Sequence, residues 1–250
     1  MNKNSKDTII AVLVVLVIGA LVFWVYNHGK DRSRQNLAKQ IAALSSKGGP
    51  PETIEGLKDA IALYEVQIEQ NVKDGAQIGV YWKILATRYA DRGMHRDALT
   101  ALEQALHYSP EDPVLFYLTG ESASIVAASV LDFSIHSESE KEHFQSLAES
   151  GYLKAIQLDG NYARPLLGLG ILYTFDLNLP KEAIPHMERY AQLMPNDTKG
   201  MFVLARAYYM AENFEGAVGQ YDRILSISKD PKVRSEAQNN KDIIRNFMYE

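Results

Sequence analysis

The sequence contains no cysteine among its 250 residues. This absence excludes disulfide bonds, thiolate zinc sites, cysteine nucleophiles and lipid attachment at an N-terminal cysteine, and it leaves the redox compartment undetermined. A strong basic charge is also lacking, because 31 acidic residues outnumber 26 basic ones and give a net charge of −5. Nucleic acid is therefore not an expected partner, since nucleic-acid-binding domains usually present a basic surface.

Motifs for catalysis, cofactors and metal binding are lacking as well. The sequence has no H-E-x-x-H zinc motif, no nucleophile elbow and no phosphate-binding loop. His136 and His143 lie close together in the acidic segment HSESEKEH, but a solvated acidic loop explains that segment better than a metal site does. We predict no catalytic residue, no metal site and no cofactor. A rival interpretation is an enzyme that uses carboxylates such as Glu121 and Asp132, although the sequence pairs neither with a base or a nucleophile.

Large apolar and small residues recur at fixed offsets between Trp82 and Pro110. The segment reads W-x2-L-A-x2-Y-x8-A-x3-L-x2-A-x4-P, which places apolar residues on one face of each of two helices. Gly93 separates the two helices, and Pro110 stops the second. The small residues Ala86 and Ala98 let the two helix axes approach closely. The segment therefore predicts a helical hairpin.

This pattern resembles the tetratricopeptide repeat, a helical hairpin of about 34 residues. The period continues, because Phe116 lies 34 positions after Trp82. The predicted repeats span about 79–112, 113–162, 163–197 and 198–230. The resemblance implies an all-α fold, a tetratricopeptide-like solenoid of helical hairpins over about 53–230.

Several segments depart from the regular repeat. The second repeat has an insertion at about 130–145, whose apolar start predicts a lengthened first helix and whose acidic end predicts a mobile tip. The third repeat has one extra loop residue before Ala183. A helix at about 53–71 predicts the second half of a degenerate hairpin before residue 79. A final amphipathic helix at 231–250 is expected to cap the stack, because an end repeat would otherwise expose an apolar face.

An unbroken apolar run of 18 residues extends from Ile9 to Tyr26. As a helix it would be about 27 Å long and could span a membrane. We predict a transmembrane signal anchor at 9–26, after a short basic tail at 1–8 and before a juxtamembrane helix and Gly/Pro linker at 27–52. A cleaved signal peptide is the alternative. The aromatic residues at the end of the run favour an uncleaved anchor, because they suit the membrane interface.

The predicted location is the bacterial inner membrane, crossed once, and we favour the periplasmic side over the cytoplasmic side for the repeat domain. Lys3 and Lys6 followed directly by the apolar run form the usual layout of a signal anchor. The charge rule favours the opposite orientation, because Lys30, Arg32 and Arg34 follow the run. The periplasmic prediction therefore rests on resemblance to bacterial single-pass proteins with extracytoplasmic repeat domains.

In a tetratricopeptide solenoid the first helices line a concave face that binds peptides. The repeat register implies these lining residues here: Lys83, Thr87, Tyr117, Glu121, Leu167, Ile171, Phe175, Phe202, Arg206 and Tyr209. If they face solvent together, they form a binding surface; Phe202 and Tyr209 are alternatively core beneath the last helix. The clamp that some family members use for acidic chaperone tails is not expected. Lys83 matches it, but Thr87 and Gly168 stand where an asparagine and an arginine are required.

These features predict a non-enzymatic protein–protein interaction scaffold of the bacterial cell envelope, which binds a peptide or helix of a partner in its concave groove. The expected partners are a protein or peptide of unknown identity and, through residues 9–26, the membrane. Assembly into a homo-oligomer is a further alternative. The alternative function is a transporter-associated or small hydrophobic ligand-binding protein, which would need a closed pocket lined by Tyr117, Phe175 and Tyr209.

Overall fold

The computed structural model describes residues 54–130 and 137–249, together with residue 39. Within these ranges all regular elements are helical. The α-helices are α1 (Ile54–Asp91), α2 (His95–Tyr108), α3 (Pro113–Ser129), α4 (Ser137–Leu158), α5 (Ala163–Ile171), α6 (Pro180–Leu193), α7 (Thr198–Met210), α8 (Phe214–Ile227) and α9 (Pro231–Tyr249). Contacts divide the chain into two compact units, Met1–Gly75 and Ala76–Glu250.

In the second unit, the helices from α2 onward each pack against the next helix in the chain. Helices α3, α5 and α7, the first helices of successive hairpins, also contact one another in that order. This arrangement is the predicted all-α stack of helical hairpins. It places one side of three consecutive first helices next to each other, as a shared surface requires.

The seam of the first hairpin is packed with small residues. Ala86 of α1 is 1% exposed, and Ala98 of α2 is fully buried, so the two backbones approach closely with Leu102 filling the space beside them. Gly93 lies in the turn between the helices with a φ of 73°. This left-handed conformation favours glycine, because a Cβ atom would strain the backbone there.

Polar side chains cap the N-termini of several helices. Asp112 accepts a hydrogen bond of 2.8 Å from the backbone N–H of Val114 at the start of α3. Asp197 accepts one of 2.9 Å from the N–H of Gly200 in α7, and Asn213 caps α8 in the same way. Such caps satisfy N–H groups that have no partner inside the helix.

Helix α1 runs without interruption over 38 residues, Ile54–Asp91. The sequence predicted one helix ending near Asn71 and another beginning near Trp82, and that break is wrong. The strongest breakers between them are Gly75 and Gly79, and a glycine inside a helix costs only about 1 kcal/mol because it keeps its backbone hydrogen bond. The other arm of the predicted degenerate hairpin lies outside the described residues.

The insertion lengthens both helices of the second hairpin. Helix α3 has 17 residues and α4 has 22, against 13 in α7 and 14 in α8. The acidic end of the insertion is helical from Ser137 onward, and its mobility stays a prediction. Its residues Glu138 and Glu140 lie in the first turn of α4, where the helix dipole favours negative charge. Glu140 also makes a salt bridge of 2.8 Å with Arg96 of α2. Residues 131–136 lie outside the described residues.

The extra residue of the third repeat widens a helical turn and does not lengthen a loop, which corrects its predicted place. Leu172–Asp176 forms a π-helical turn after α5, with a hydrogen bond of 2.9 Å from the N–H of Leu177 to the carbonyl of Leu172. A π-turn holds one more residue than an α-turn. Asn178 follows with a φ of 53°, and the chain then enters α6.

Helix α9 begins at Pro231 and covers the end of the fourth hairpin. Its Ala237 and Ile244 are buried in one cluster with Tyr221 and Ile224 of α8. Lys241 of α9 pairs with Asp222 of α8 through its ammonium group.

None of the described helices is both long enough and apolar enough to cross a membrane. The apolar run at 9–26, which carries the predicted anchor, lies outside the described residues.

Candidate functional site

A groove with a volume of about 730 Å³ crosses α3, α5 and α7. We call it the tyrosine groove, because four tyrosines belong to its lining. Its lining comprises Tyr117, Glu121, Tyr152, Tyr162, Ala163, Arg164, Leu167, Gly168, Ile171, Tyr190, Met194, Asp197 and Lys199. Three successive hairpins therefore contribute to one surface.

Tyr152 of α4 forms the base of the tyrosine groove. A Cβ atom added at Gly120 would lie 2.6 Å from Cδ1 of the ring, and one added at Gly168 would lie 2.6 Å from Cζ. The ring therefore occupies space that side chains on α3 and α5 would otherwise fill. Its hydroxyl lies 3.3 Å from Oγ of Ser124. Burial raises the pKa of Tyr152 to about 12, so the hydroxyl stays neutral at physiological pH.

Two other tyrosines of the groove donate hydrogen bonds to carboxylates. The hydroxyl of Tyr117 donates to Oε1 of Glu121 at 2.7 Å, and that of Tyr190 donates to Oδ2 of Asp197 at 2.7 Å. Asp197 is also the cap of α7. Burial first, and then the hydrogen-bonded carboxylate, raises the pKa of Tyr117 and of Tyr190. Both hydroxyls therefore remain donors.

Two cations of the tyrosine groove have no carboxylate partner. Arg164 and Lys199 are exposed, and neither makes a salt bridge with any residue in 54–130 or 137–249. Lys83 differs, because its Nζ lies 2.8 Å from Oδ2 of Asp112. That contact joins α1 to the start of α3, and it already uses the charge of Lys83.

A second groove, with a volume of about 350 Å³, lies between α7 and α9 beside the π-helical turn. We call it the phenylalanine groove, after Phe175 and Phe202. The guanidinium of Arg206 lies 5.5 Å from the centroid of the Tyr209 ring, within the range of cation–π attraction. Phe175 is 55% exposed, so the apolar surface here faces solvent. The lining also includes Val203, Tyr221, Glu236, Asn240, Ile243 and Ile244.

Eight of the ten predicted lining residues lie in the two grooves, and the other two lie outside both. Tyr117, Glu121, Leu167 and Ile171 line the tyrosine groove, whereas Phe175, Phe202, Arg206 and Tyr209 line the phenylalanine groove. Lys83 and Thr87 line neither, and the hydroxyl of Thr87 donates to the carbonyl of Lys83 at 3.0 Å. Binding of a partner by these ten residues stays a prediction.

Phe202 and Tyr209 have both of the roles considered for them. Each is partly buried and packs against the cluster formed by α7, α8 and α9, and each also lines the phenylalanine groove. Their rings therefore support the terminal helix with one side and face the groove with another.

The repeat register did not identify the groove residues that lie outside the first helices. Tyr152 and Tyr190 lie on the second helices α4 and α6, and Ile243 lies on α9. A usable signal existed in Gly120 and Gly168. Two first-helix positions without side chains, facing the same second helix, indicate a large residue opposite them.

The described residues place no group of three or more His, Asp or Glu side chains where they could hold a metal ion. Asp132 and His136, which belong to the rival carboxylate and metal interpretations, lie outside the described residues. Glu121, the other carboxylate considered, accepts the hydrogen bond from Tyr117.

The alternative of a closed pocket for a small hydrophobic molecule required Tyr117, Phe175 and Tyr209 to meet. Tyr117 lines the tyrosine groove, and the other two line the phenylalanine groove. The three rings therefore do not surround one cavity.

The chain shares its fold with solved tetratricopeptide-repeat proteins. A fragment of MamA from Desulfovibrio magneticus RS-1 matches with a TM-score of 0.54 at 17% identity, over 68% of this chain and 88% of that one. TTC0263, a thermophilic tetratricopeptide-repeat protein of Thermus thermophilus, matches with a TM-score of 0.52 at 19% identity, over 82% and 97%. YrrB, described as a tetratricopeptide-repeat protein with an unusual peptide-binding site, matches with a TM-score of 0.52 at 20% identity, over 80% and 88%.

No protein-family model matches the sequence, and no curated protein matches it. At these identities the structural matches show the fold alone. The described part of the chain therefore has a tetratricopeptide-like solenoid fold, as the repeat pattern predicted.

Proposed function

We propose that this chain is a non-enzymatic scaffold that binds a peptide or helix of a protein partner across α3, α5 and α7. The observation that carries the proposal is the tyrosine groove, with its aromatic lining drawn from three consecutive hairpins. The likeness to YrrB adds support, because that protein is described as having a peptide-binding site.

The chemistry of the groove suits a protein ligand. Tyrosine supplies a large apolar face and a polar hydroxyl, which is why tyrosines are enriched at protein interfaces. Ile171 at the rim is 40% exposed, and Phe175 nearby along the chain is 55% exposed. Covering such side chains removes apolar surface from water and stabilises a complex by roughly 25 cal/mol per Å² before the costs of association.

A photo-crosslinking experiment tests this function. The photoreactive residue p-benzoylphenylalanine replaces Ile171 in one variant and Leu153 in a matched control, since the two side chains are 40% and 39% exposed and Leu153 lines neither groove. We expect a discrete crosslinked product from the Ile171 position in native cells, and none from the Leu153 position. Equal products from both positions would contradict binding in the groove. The mass of the product distinguishes a different protein from a second copy of this chain.

We further propose that residues 9–26 anchor the scaffold in the bacterial inner membrane, with the repeat domain on the periplasmic side. The support is the unbroken apolar run and its aromatic end. Proteinase added to spheroplasts should digest the repeat domain while a cytoplasmic control protein survives, and full protection would reverse the orientation. If the intact mass of the purified protein lacks the first 20 residues, the segment is a cleaved signal peptide and not an anchor.

A further inference from the structure

We infer that two copies of this chain pair through α1, in an antiparallel arrangement centred on Tyr81. This pairing does not depend on the tyrosine groove, and it adds an assembly to the proposed function. Two features of α1 carry it, namely an exposed apolar stripe and charges at the ends of that stripe that match only when one of the two helices is reversed.

Large apolar side chains form an exposed stripe on one face of α1. They are between 38% and 63% exposed, and they comprise Ile78, Tyr81, Ile84 and Leu85. Their spacings of three and four residues keep them on one side of an α-helix. We call this surface the α1 stripe. Large apolar side chains that are exposed together indicate a surface that binds another protein.

The α1 stripe lies away from the seam of the first hairpin. Ala86, which is 1% exposed in that seam, follows Tyr81 by five residues and therefore by about 140° around the helix. At the other end of the stack, α9 covers α8 and buries Ala237 and Ile244 in the contact. The α1 stripe has no comparable cover among residues 54–130 and 137–249. An end face of a solenoid needs such a cover to keep its apolar side chains from water.

Charges at the two ends of the α1 stripe select the direction of a second helix. Asp74 precedes Tyr81 by seven residues and Arg88 follows it by seven, so both are in line with the stripe. In a parallel pair each of these charges would face its own copy and repel it. In an antiparallel pair centred on Tyr81, Asp74 of each copy faces Arg88 of the other.

Both side chains can make this contact. Arg88 is exposed and makes no salt bridge with the described residues. Asp74 accepts a hydrogen bond of 2.9 Å from Nε2 of Gln70. It can keep this bond, because a carboxylate has about four acceptor sites.

A second pair of charges matches in the same arrangement. Lys73 and Asp91 are exposed and lie on the same flank of the α1 stripe, eight residues before Tyr81 and ten residues after it. Equal flanks face each other in an antiparallel pair, so Lys73 of each copy approaches Asp91 of the other. Lys73 also pairs with Glu69 of its own chain at 2.6 Å, but that pair is exposed and therefore weak.

The centre of this arrangement is apolar and symmetric. Tyr81 lies on the two-fold axis and packs against its own copy, while Ile78 of one chain packs against Ile84 of the other. Large aromatic residues at the centre of an interface contribute much of its binding energy. A contact that uses the same patch on both copies closes on itself, so it gives a dimer and not a filament. The dimer carries two tyrosine grooves, which would strengthen the binding of a partner that has two recognition segments.

The test is disulfide crosslinking of the full chain in cells treated with copper phenanthroline. The chain has no cysteine, so each introduced cysteine is the sole thiol. We expect a crosslinked dimer from Tyr81→Cys. We expect none from the matched control Ala76→Cys, because Ala76 is also exposed on α1 but lies about 140° from Tyr81 around the helix. Circular dichroism melts check that the variants fold.

Two further cysteines test the direction of the pair. Position 74 of one copy would lie about 21 Å along the helix axis from position 74 of the other, whereas a disulfide requires Cα atoms about 4.4–6.8 Å apart. Asp74→Cys alone and Arg88→Cys alone should therefore give no dimer. Coexpression of the two variants, one with a larger tag, should give a crosslink between the two forms.

A charge exchange tests the match of the end charges. In the Tyr81→Cys background, R88D should lower the crosslinked fraction at least about threefold, because two weak ion pairs become repulsive contacts. The double exchange D74R/R88D restores opposite charges and should restore the crosslinked fraction.

The contrary outcomes are distinct. No dimer from Tyr81→Cys, or an equal yield from Ala76→Cys, would overturn the inference, and coverage of the α1 stripe by residues 1–53 or by a different protein would give the first of these results. A dimer from Asp74→Cys alone would show parallel helices and overturn it as well. A yield that ignores R88D would remove the charge match on which the direction rests. None of these results bears on the proposed function, whose groove does not include α1.

Discussion

Ala86 in α1 and Gly120 in α3 occupy the same place in successive hairpins, but side chains of different size face them. Leu102 packs beside Ala86, whereas the ring of Tyr152 lies so close to Gly120 that an added Cβ would be 2.6 Å from it. A glycine inside a helix costs roughly 0.5–1 kcal/mol relative to alanine. In the second hairpin the packing of an aromatic ring offsets this cost, because the missing methyl makes room for the ring.

In the third hairpin a glycine again stands opposite a large side chain, which here is a methionine. A Cβ atom at Gly170 would lie 2.1 Å from Sδ of Met187. Methionine has three rotatable bonds and can adapt, whereas a tyrosine ring is rigid. The comparison therefore separates two properties of the facing residue, its size and its rigidity, and each can be tested by substitution.

The largest effect is expected from Tyr152→Ala, which removes the ring that leaves no room for a side chain at Gly120. We expect a loss of about 3–5 kcal/mol in the free energy of unfolding, from lost burial and the cavity that remains. Tyr152→Phe keeps the ring and should cost only about 0.5–1 kcal/mol, because the removed hydroxyl makes a single long contact with Ser124. Urea unfolding followed by circular dichroism measures both. An equal loss in the two variants would show that the hydroxyl, and not the ring, stabilises this seam.

The next largest effect is expected from enlarging the seam of the first hairpin. Ala98 is fully buried against α1, so Ala98→Leu should lower the free energy of unfolding by about 1–3 kcal/mol through overpacking, and Ala86→Leu should do the same. Ala76→Leu is the control, because Ala76 lies on α1 but is exposed. Thermal melts compare the three. Unchanged midpoints for both buried positions would mean that the repeat register is wrong here.

A smaller effect is expected from Gly120→Ala, and its sign should depend on Tyr152. In the wild-type background the new methyl meets the rigid ring, so we expect a net loss of about 1–2 kcal/mol after the gain in helix propensity. In the Tyr152→Ala background the same change should stabilise the protein by about 0.5–1 kcal/mol. A double-mutant cycle measures this coupling. If the two effects of Gly120→Ala agree within error, the ring does not account for the glycine.

The seams explain why the hairpins could be predicted from sequence. Ala86, Gly120 and Gly170 occupy the same place in successive first helices, where a small residue lets helix axes come together, and the spacing of the large residues between them reports the same geometry. The start of α9 could also be predicted, because Pro231 suits the first turn of a helix, where a missing N–H breaks no hydrogen bond inside the helix. These features depend on residues near each other in the chain.

The features that were missed depend on contacts between repeats or on small differences in energy. Whether Gly75 and Gly79 break α1 is decided by about 1 kcal/mol at each, which a pattern does not resolve. The extra residue of the third repeat could enter a loop or the π-turn that follows α5, and the repeat pattern does not distinguish these two places. The base of the tyrosine groove comes from Tyr152 on a second helix, and a register that assigns only first helices to the groove omits it.

The smallest effect is expected from Gly170→Ala. The added methyl conflicts with Met187, which is fully buried, but the thioether can rotate away, and the gain in helix propensity offsets part of the remaining strain. We therefore expect a loss of less than about 1 kcal/mol in urea unfolding, smaller than that of Gly120→Ala. If both glycines prove equally intolerant, the packing around Met187 leaves it no room to move. Size alone would then decide where the stack requires glycine, and the rigidity of the facing side chain would be irrelevant.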